Sequence, residues 1–134
     1  MNIALMAQDG KKELMVQLCI AYCGIFAGHT LIATKTTGKM IAEATGLNVS
    51  LCLAGGQGGA QQIGARIAYN EIDLVLYLCD PDDTAGHASV SEIALLCDRH
   101  TIPFASNVAT AEVLIQGLHR GDLDWRNIVN PRNR

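Results

Sequence analysis

Two segments rich in hydroxyl groups and glycine have the composition of an anion-binding site. Residues 34–38 place three threonine hydroxyls and the ammonium group of Lys35 before an expected helix. Phosphate binds well where such donors meet the N–H groups of a helix N-terminus. Residues 54–59 include four glycines, so their backbone N–H groups can approach a ligand closely. Together with Lys12, these segments predict a phosphate-binding site.

Each segment also has a plainer interpretation. Thr and Gly are common turn residues, so either run alone is explained by a turn or by a flexible strand-to-helix connection. Neither G-x-G-x-x-G nor G-x-x-x-x-G-K-[ST] occurs in the chain, so a purine nucleotide is a poor candidate ligand. The coincidence of two such segments favours inorganic phosphate or a small phosphorylated metabolite.

Asp80 and His87 are the residues best suited to acid–base chemistry. Asp80 directly follows six apolar residues, a position where an acid without a partner would cost several kcal/mol of burial energy. His87 follows across a polar loop, and histidine is the side chain that titrates nearest neutral pH. Asp82 and Asp83 fit solvated turn residues. No metal-ligand spacing is present, so we predict no metal.

The elements that must position these residues alternate between short apolar runs and longer amphipathic runs, which is typical of strands joined by crossover helices. The expected fold class is α/β: one doubly wound, Rossmann-like domain with a five-stranded, mainly parallel sheet and helices on both faces. Ligands of such sheets bind outside the carboxyl ends of the strands, where the two segments and Asp80 are expected. The expected strands are 3–7, 31–34, 49–53, 74–79 and 103–106. The expected helices are 11–26, 39–45, a helix from the glycine run through 69, a helix capped by Ser89 or Ser91 that ends near 100, and 108–118.

Length and charge limit the function further. The 134 residues suffice for one core, so we expect a single domain, 1–134, with a C-terminal tail from about residue 121. The formal charge of −3 without like-charge runs argues against nucleic acid or a membrane as partner. Five cysteines without a close pair predict free thiols in a reducing compartment, and hence a cytoplasmic protein. We expect no cofactor, and small molecules or further copies of the chain as partners.

Several motifs, which together span nearly the whole chain, resemble those of one known family. They are Asn2-Ile3-Ala4-Leu5 with Asp9 and Lys12, the run 33–38, the run 43–49, Gly58-Gly59-Ala60-Gln61-Gln62 with 63–65, Asp80-Pro81 with His87, and Ile102-Pro103 with 107–111. The sequence resembles methylglyoxal synthase, a small α/β lyase that converts dihydroxyacetone phosphate to methylglyoxal and phosphate. The resemblance implies a cytoplasmic homo-oligomer, usually a hexamer. It also implies phosphate contacts at Lys12, Thr34, Thr36, Thr37 and Gly55.

The sequence departs from this family at positions that carry its chemistry. The family has an aspartate base where this chain has Ala60, and a substrate-contacting histidine where it has Gln8. Lys35 stands in place of a glycine, residues 54–56 in place of Ser-Gly-Pro, and the loop after His87 lacks a family acid. Because a general base contributes about 10²–10⁴-fold to a rate, the family reaction would need a replacement base here, which Asp9, Asp80, Asp82 or Asp83 could supply.

We therefore expect catalytic roles for Asp80 as replacement base, His87 as proton carrier, and Asp9. The expected ligand-binding residues are Gln8, Lys12, Thr34, Lys35, Thr36, Thr37 and Gly55. Three functions stay open: a lyase of the methylglyoxal synthase type, a non-catalytic regulatory protein that binds phosphate or a metabolite, and an enzyme changed toward a related phosphorylated substrate.

Overall fold

The computed structural model describes residues 1–130, which form one α/β domain around a five-stranded sheet. The strands are β1 (Asn2–Ala7), β2 (Thr30–Ala33), β3 (Val49–Leu51), β4 (Leu74–Leu78) and β5 (Phe104–Ala105). The helices are α1 (Lys12–Ala21), α2 (Cys23–Phe26), α3 (Lys35–Thr45), α4 (Gly59–Ala68), α5 (His87–Arg99), α6 (Val108–Arg120) and α7 (Arg126–Val129). The strand order is β3-β2-β1-β4-β5 and every pairing is parallel. The predicted doubly wound α/β fold is confirmed.

Two separate apolar cores bury both faces of the sheet except at the edge strand β3, where Ser50 and Leu51 are exposed. Along β1, Ile3 and Leu5 point into the first core, whereas Ala4 and Met6 point into the second. Side chains of α1, α3 and α6 complete the first core, and those of α4 and α5 complete the second. A strand covered on both faces has no wet side, which explains the continuous apolar runs that predicted β1 and β4.

Helix α3 begins at Lys35, earlier than the predicted start at residue 39. Thr34 has extended backbone angles, φ −65° and ψ 153°, and its carbonyl accepts a 2.8 Å hydrogen bond from the N–H of Gly38. Gly38 therefore lies inside the helix, where a Cβ atom would come within 2.3 Å of the Leu51 side chain. The prediction of a turn is wrong here because this glycine serves a close contact between helix and sheet.

Helix α5 also begins earlier than predicted. Gly86 holds the N-cap position, so Ser89 and Ser91 lie within the helix and neither caps it. A 3-10 turn at Thr84–Gly86 leads directly into the helix, which shortens the predicted polar loop. The predicted helix 11–26 is interrupted at Tyr22, and the short helix α7 in the tail was not predicted. The other helices and strands differ from prediction at their ends.

The described part of the C-terminal tail is attached to its own domain by a buried arginine. The guanidinium of Arg126 is fully buried and donates to Asp73 Oδ1 at 3.3 Å and to Asn70 Oδ1 at 2.8 Å. It also donates to the carbonyl of Ile72 at 3.0 Å. The tail therefore packs beside the segment that leads into β4. The last part of the predicted tail, residues 131–134, lies outside the described residues.

All five cysteines are free thiols. Burial raises the pKa of Cys19 and of Cys97 to about 12, so both remain protonated at neutral pH. In the part of the chain from 1 to 130, no helix has the length and apolar character needed to cross a membrane.

Candidate functional site

A pocket of about 430 Å³ opens where β1, β2 and β4 end, and we call it the strand-end pocket. Six of the predicted site residues line it: Gln8, Asp9, Lys12, Thr34, Thr36 and Gly55. The other residues that line it are Met6, Ala7, Ala54, Gly56, Tyr77, Asp83, Gly86 and Ser89. The carboxyl edge of the sheet thus brings together residues that are far apart in sequence, as the fold class requires.

The first turn of α3 contributes the threonines of this pocket. Thr34 is buried and Thr36 is exposed, and both line the pocket. Thr37 is fully buried, and its Oγ1 has no hydrogen-bond partner among the described residues. Thr37 does not line the pocket. The first N–H groups of a helix have no acceptor within the helix; that of Lys35 donates to the carbonyl of Leu53 at 3.3 Å, so the N–H groups of Thr36 and Thr37 are the amide donors that this turn offers beside its hydroxyls. Lys35 is exposed beside it and does not line the pocket.

The glycine-rich loop after β3 contributes backbone to the pocket wall. Gly55 and Gly56 line the pocket, and a Cβ at either would meet nothing within 4 Å. Gly58 has a positive φ of 103°, and a Cβ at Gly59 would lie 2.0 Å from the carbonyl oxygen of Leu53. Gly58 and Gly59 are therefore required by the backbone path into α4. Gly55 and Gly56 leave open space at the pocket wall.

Lys12 is the lysine that lines the pocket. Its ammonium group forms an ion pair and hydrogen bond with Asp9, whose side chain is 90% exposed. The hydrogen bond and positive charge of Lys12 lower the pKa of the Asp9 carboxyl. An ammonium group has three donors, so Lys12 keeps two N–H groups for a ligand.

The side chain of Gln8 is committed to the loop after β4. Its Oε1 accepts a 2.7 Å hydrogen bond from the N–H of Asp80, and its Nε2 donates to the carbonyl of Asp83 at 2.9 Å. A Cβ at Gly86 would come within 2.5 Å of that Nε2. Gln8 therefore shapes the pocket wall by fixing this loop.

Asp80 and His87 lie beside the pocket and do not line it. The contact between His87 Nε2 and the carbonyl oxygen of Asp80 is 2.7 Å. Because a carbonyl can only accept, Nε2 carries the proton there and Nδ1 of the neutral ring is left as an acceptor. The Asp80 carboxylate accepts a hydrogen bond from the N–H of Asp82 at 3.0 Å. The catalytic roles of Asp80, His87 and Asp9 stay predictions.

Ala60 lines a second, smaller space that we call the Ala60 cleft. It measures about 220 Å³ and lies between α4 and α5, where Ala60, Gly64, Ser89, Glu92 and Leu96 are among its lining residues. Ser89 lines both spaces, so the cleft adjoins the strand-end pocket. A methyl group stands where the resemblance places the family's carboxylate.

Tyr77, Ser89 and Glu92 line these two spaces and were not predicted as site residues. Tyr77 carries the one polar side-chain atom of β4, whose sequence is LVLYL, and this interruption of an apolar strand was an available signal. Ser89 and Glu92 are three residues apart on α5, so they share a helix face. Ser89 lines both spaces and Glu92 lines the Ala60 cleft. The predicted role of Ser89 as a helix cap placed it at the helix end and left this face unrecognised.

The fold and the site together define a class: a small doubly wound α/β protein whose strand-end pocket is lined by a lysine, threonines and glycine backbone. A family model described as an MGS-like domain matches residues 15–106. The methylglyoxal synthase of Caldicellulosiruptor saccharolyticus is 59% identical over 133 residues, with 98% of this chain and 94% of the relative covered. That of Thermoanaerobacter pseudethanolicus is 53% identical over 129 residues, with 96% and 98% covered.

A solved structure gives the same result. The crystal structure of methylglyoxal synthase from Elizabethkingia anophelis NUHP1 matches with a TM-score of 0.81 and 38% sequence identity, covering 85% of this chain and 76% of that chain. The chain therefore belongs to the methylglyoxal synthase family, and the resemblance inferred from its motifs is confirmed.

Proposed function

We propose that this protein binds a small phosphorylated metabolite of the triose phosphate class in the strand-end pocket. The observation that carries the proposal is that Lys12 and the first turn of α3 meet in one pocket. Helix dipoles concentrate partial positive charge at that end of a helix, where N–H groups lack acceptors. A phosphate accepts hydrogen bonds from these N–H groups, from the Thr34 and Thr36 hydroxyls, and from Lys12.

The hydroxyl of Thr37 supports the same ligand. Within residues 1–130 its Oγ1 is buried without a hydrogen-bond partner. An unsatisfied buried hydroxyl costs about 1–3 kcal/mol. Thr37 does not itself line the pocket, but it follows Thr36, which does. We propose that an anion bound at the first turn of α3 is the acceptor for this hydroxyl, so that ligand binding offsets that cost.

Proton abstraction is the step for which this pocket is least equipped. In the family reaction a base takes a proton from the bound triose phosphate, an enediolate forms, and phosphate leaves. Ala60 presents a methyl group at the matching position. Asp9 lines the pocket, but Lys12 lowers its pKa, which makes its carboxylate a weaker base. We therefore propose a binding protein in which the family's elimination is slowed by about 10²–10⁴-fold.

A second candidate is a lyase that uses a replacement base. Asp83 favours it, because this residue lines the pocket and Gln8 holds its backbone carbonyl at 2.9 Å. A carboxylate on a fixed loop segment is positioned to take a proton from a bound ligand. An enzyme for a related phosphorylated substrate would use the same group.

Incubation of the purified protein with dihydroxyacetone phosphate separates these candidates. Methylglyoxal and free phosphate are both followed, since elimination releases them in equal amounts, and heat-denatured protein is the control. Our proposal predicts turnover far below the usual enzyme range of about 1–10³ s⁻¹. Turnover within that range would contradict it and support a replacement base.

Binding is measured separately with ligands that cannot undergo the elimination. Calorimetric titration with inorganic phosphate and with glycerol 3-phosphate should give saturable binding to one site per chain. Failure of both ligands to bind would overturn the phosphate site itself, whatever the turnover assay shows.

We further propose that the protein is a cytoplasmic homo-oligomer, hexameric if it follows its family. Exposed apolar side chains support association: Ile20 is 53% exposed, Tyr69 75% and Val113 67%. Sedimentation equilibrium tests the assembly, because a mass of one chain at every concentration would contradict it.

A further inference from the structure

A pair of hydroxyl groups forms part of the wall of the strand-end pocket. The phenol oxygen of Tyr77 and Oγ of Ser89 are 2.9 Å apart. The Tyr77 ring belongs to the second apolar core and the residue is only 9% exposed. Both residues nevertheless line the pocket, so the hydrogen bond joins β4 to α5 at the pocket surface.

The chemistry of this pair suits a neutral oxygen of a ligand. Two hydroxyls carry two hydrogens, and their mutual hydrogen bond uses one of them. The pair therefore keeps one donor and several lone pairs for a ligand. Because a hydroxyl group can both donate and accept, the pair can bind either a hydroxyl or a carbonyl oxygen of a ligand. Packing alone would be served equally by Phe at position 77, which fills the same space without a hydroxyl.

The pair lies away from the phosphate-binding groups by a distance that a short ligand can span. Thr34 and Thr36 follow β2, Tyr77 is on β4, and β1 lies between these strands. Adjacent strands are about 4.8 Å apart, so the ends of β2 and β4 are separated by about 10 Å. A ligand whose phosphate binds at α3 extends a short carbon chain toward β4.

We propose that Tyr77 and Ser89 determine the specificity of the pocket by binding the oxygen that lies at the far end of the ligand from its phosphate. They select three-carbon phosphates that carry a hydroxyl or carbonyl group over alkyl phosphates of the same length. This inference rests on the phosphate site proposed above. A neutral hydrogen bond of this kind corresponds to a preference of up to about tenfold in affinity.

The experiment compares three unreactive probes by calorimetric titration: inorganic phosphate, glycerol 3-phosphate and monopropyl phosphate. The last two have three carbons and one phosphate, and they differ in the two hydroxyl groups. Each probe is titrated into the wild-type protein, Tyr77→Phe, Ser89→Ala and the double variant. Tyr69→Phe is the matched control, because Tyr69 is 75% exposed and does not line the pocket.

We expect the wild type and Tyr69→Phe to prefer glycerol 3-phosphate over propyl phosphate by about tenfold. Each single variant should reduce this ratio, and the double variant should bring it close to one. The free-energy change in the double variant should be smaller than the sum of the changes in the two single variants, because the two hydroxyls act as a unit. Affinity for inorganic phosphate should be unchanged in all variants. A purely structural role would lower all three affinities together.

An unchanged ratio in the double variant, with phosphate still bound, would overturn this inference and leave the phosphate site standing. Absence of phosphate binding to the wild type would overturn the proposed function, and this inference with it. If Tyr77→Phe does not fold, as judged by circular dichroism, Ser89→Ala decides the outcome, because it removes one hydroxyl from an already helical position.

Discussion

The side-chain oxygen of Gln8 accepts a 2.7 Å hydrogen bond from the backbone N–H of Asp80. The same amide donates to the carbonyl of Asp83, so one side chain at the end of β1 fixes both ends of a short segment after β4. The family resemblance places a substrate-contacting histidine at this position. In this chain Gln8 instead shapes the loop after β4. Asp83 in that loop lines the strand-end pocket, whereas the Asp80 carboxylate lies beside the pocket and accepts from the N–H of Asp82.

Replacing Gln8 by Ala should lower the free energy of unfolding by about 1–3 kcal/mol, because the N–H of Asp80 and the carbonyl of Asp83 lose their partner. Urea unfolding followed by circular dichroism measures this change. Gln17→Ala on the exposed face of α1 is the control and should stay within about 0.5 kcal/mol of the wild type. Equal stabilities of the two variants would show that the loop is held by other contacts.

The pKa of Asp9 should depend on Lys12. The hydrogen bond and charge of Lys12 lower that pKa, so Lys12→Met should raise it toward the ordinary value of an aspartate. The ion pair stabilises the fold at neutral pH, and this contribution is lost as the pH falls through the lowered pKa of Asp9. Carbon-detected NMR titration of the carboxyl group measures the shift, and Lys11→Met is the control. An unchanged pKa in Lys12→Met would show that the two groups do not pair in solution.

Restoring an acid at position 60 should restore elimination. Ala60→Asp places a carboxylate in the cleft that adjoins the strand-end pocket, and we expect methylglyoxal formation to rise by about 10²–10⁴-fold. Ala65→Asp, an exposed position on the same helix, should leave the rate unchanged. No gain in Ala60→Asp, with phosphate affinity intact, would mean that the missing base is not what limits the reaction.

Removing the buried arginine should destabilise the domain strongly. Arg126→Met leaves Asp73 buried without its cation, both side chains being fully buried, and breaking such a pair costs about 3–5 kcal/mol. Arg120→Met is the control, because its pair with Asp122 is exposed and worth about 0–1 kcal/mol. Urea midpoints compare the two variants. Similar losses in both would show that Asp73 is satisfied without Arg126.

The fold was predictable because both faces of the sheet are buried. Strands without a polar face leave continuous apolar runs in the sequence, and such runs located β1 and β4. The edge strand β3 is different, because its Ser50 and Leu51 are exposed. The helix starts at Lys35 and His87 were not predictable in the same way. A glycine that permits a close contact, such as Gly38, has the same sequence signal as a glycine in a turn.

The site was predictable in part, for a related reason. Residues in the segments that follow strands, such as Lys12 and Thr34, could be predicted from the rule that ligands bind at the carboxyl edge of the sheet. Tyr77 and Ser89 reach the pocket from within a strand and a helix. Whether such a side chain faces the pocket depends on the direction in which that face of the strand or helix points. Those directions are set by tertiary packing, which local sequence patterns do not specify.

The phosphate site is tested most directly by calorimetric titration of inorganic phosphate into the wild type, Lys12→Met and Lys39→Met. Lys39 is an exposed lysine of α3 that does not line the pocket. Lys39→Met therefore removes the same charge as Lys12→Met without changing the pocket. We predict saturable binding to the wild type and to Lys39→Met, and an affinity lower by about 10–100-fold in Lys12→Met, since a charged hydrogen bond is lost. Equal affinity in all three proteins, or no binding to the wild type, would contradict a phosphate site at the first turn of α3.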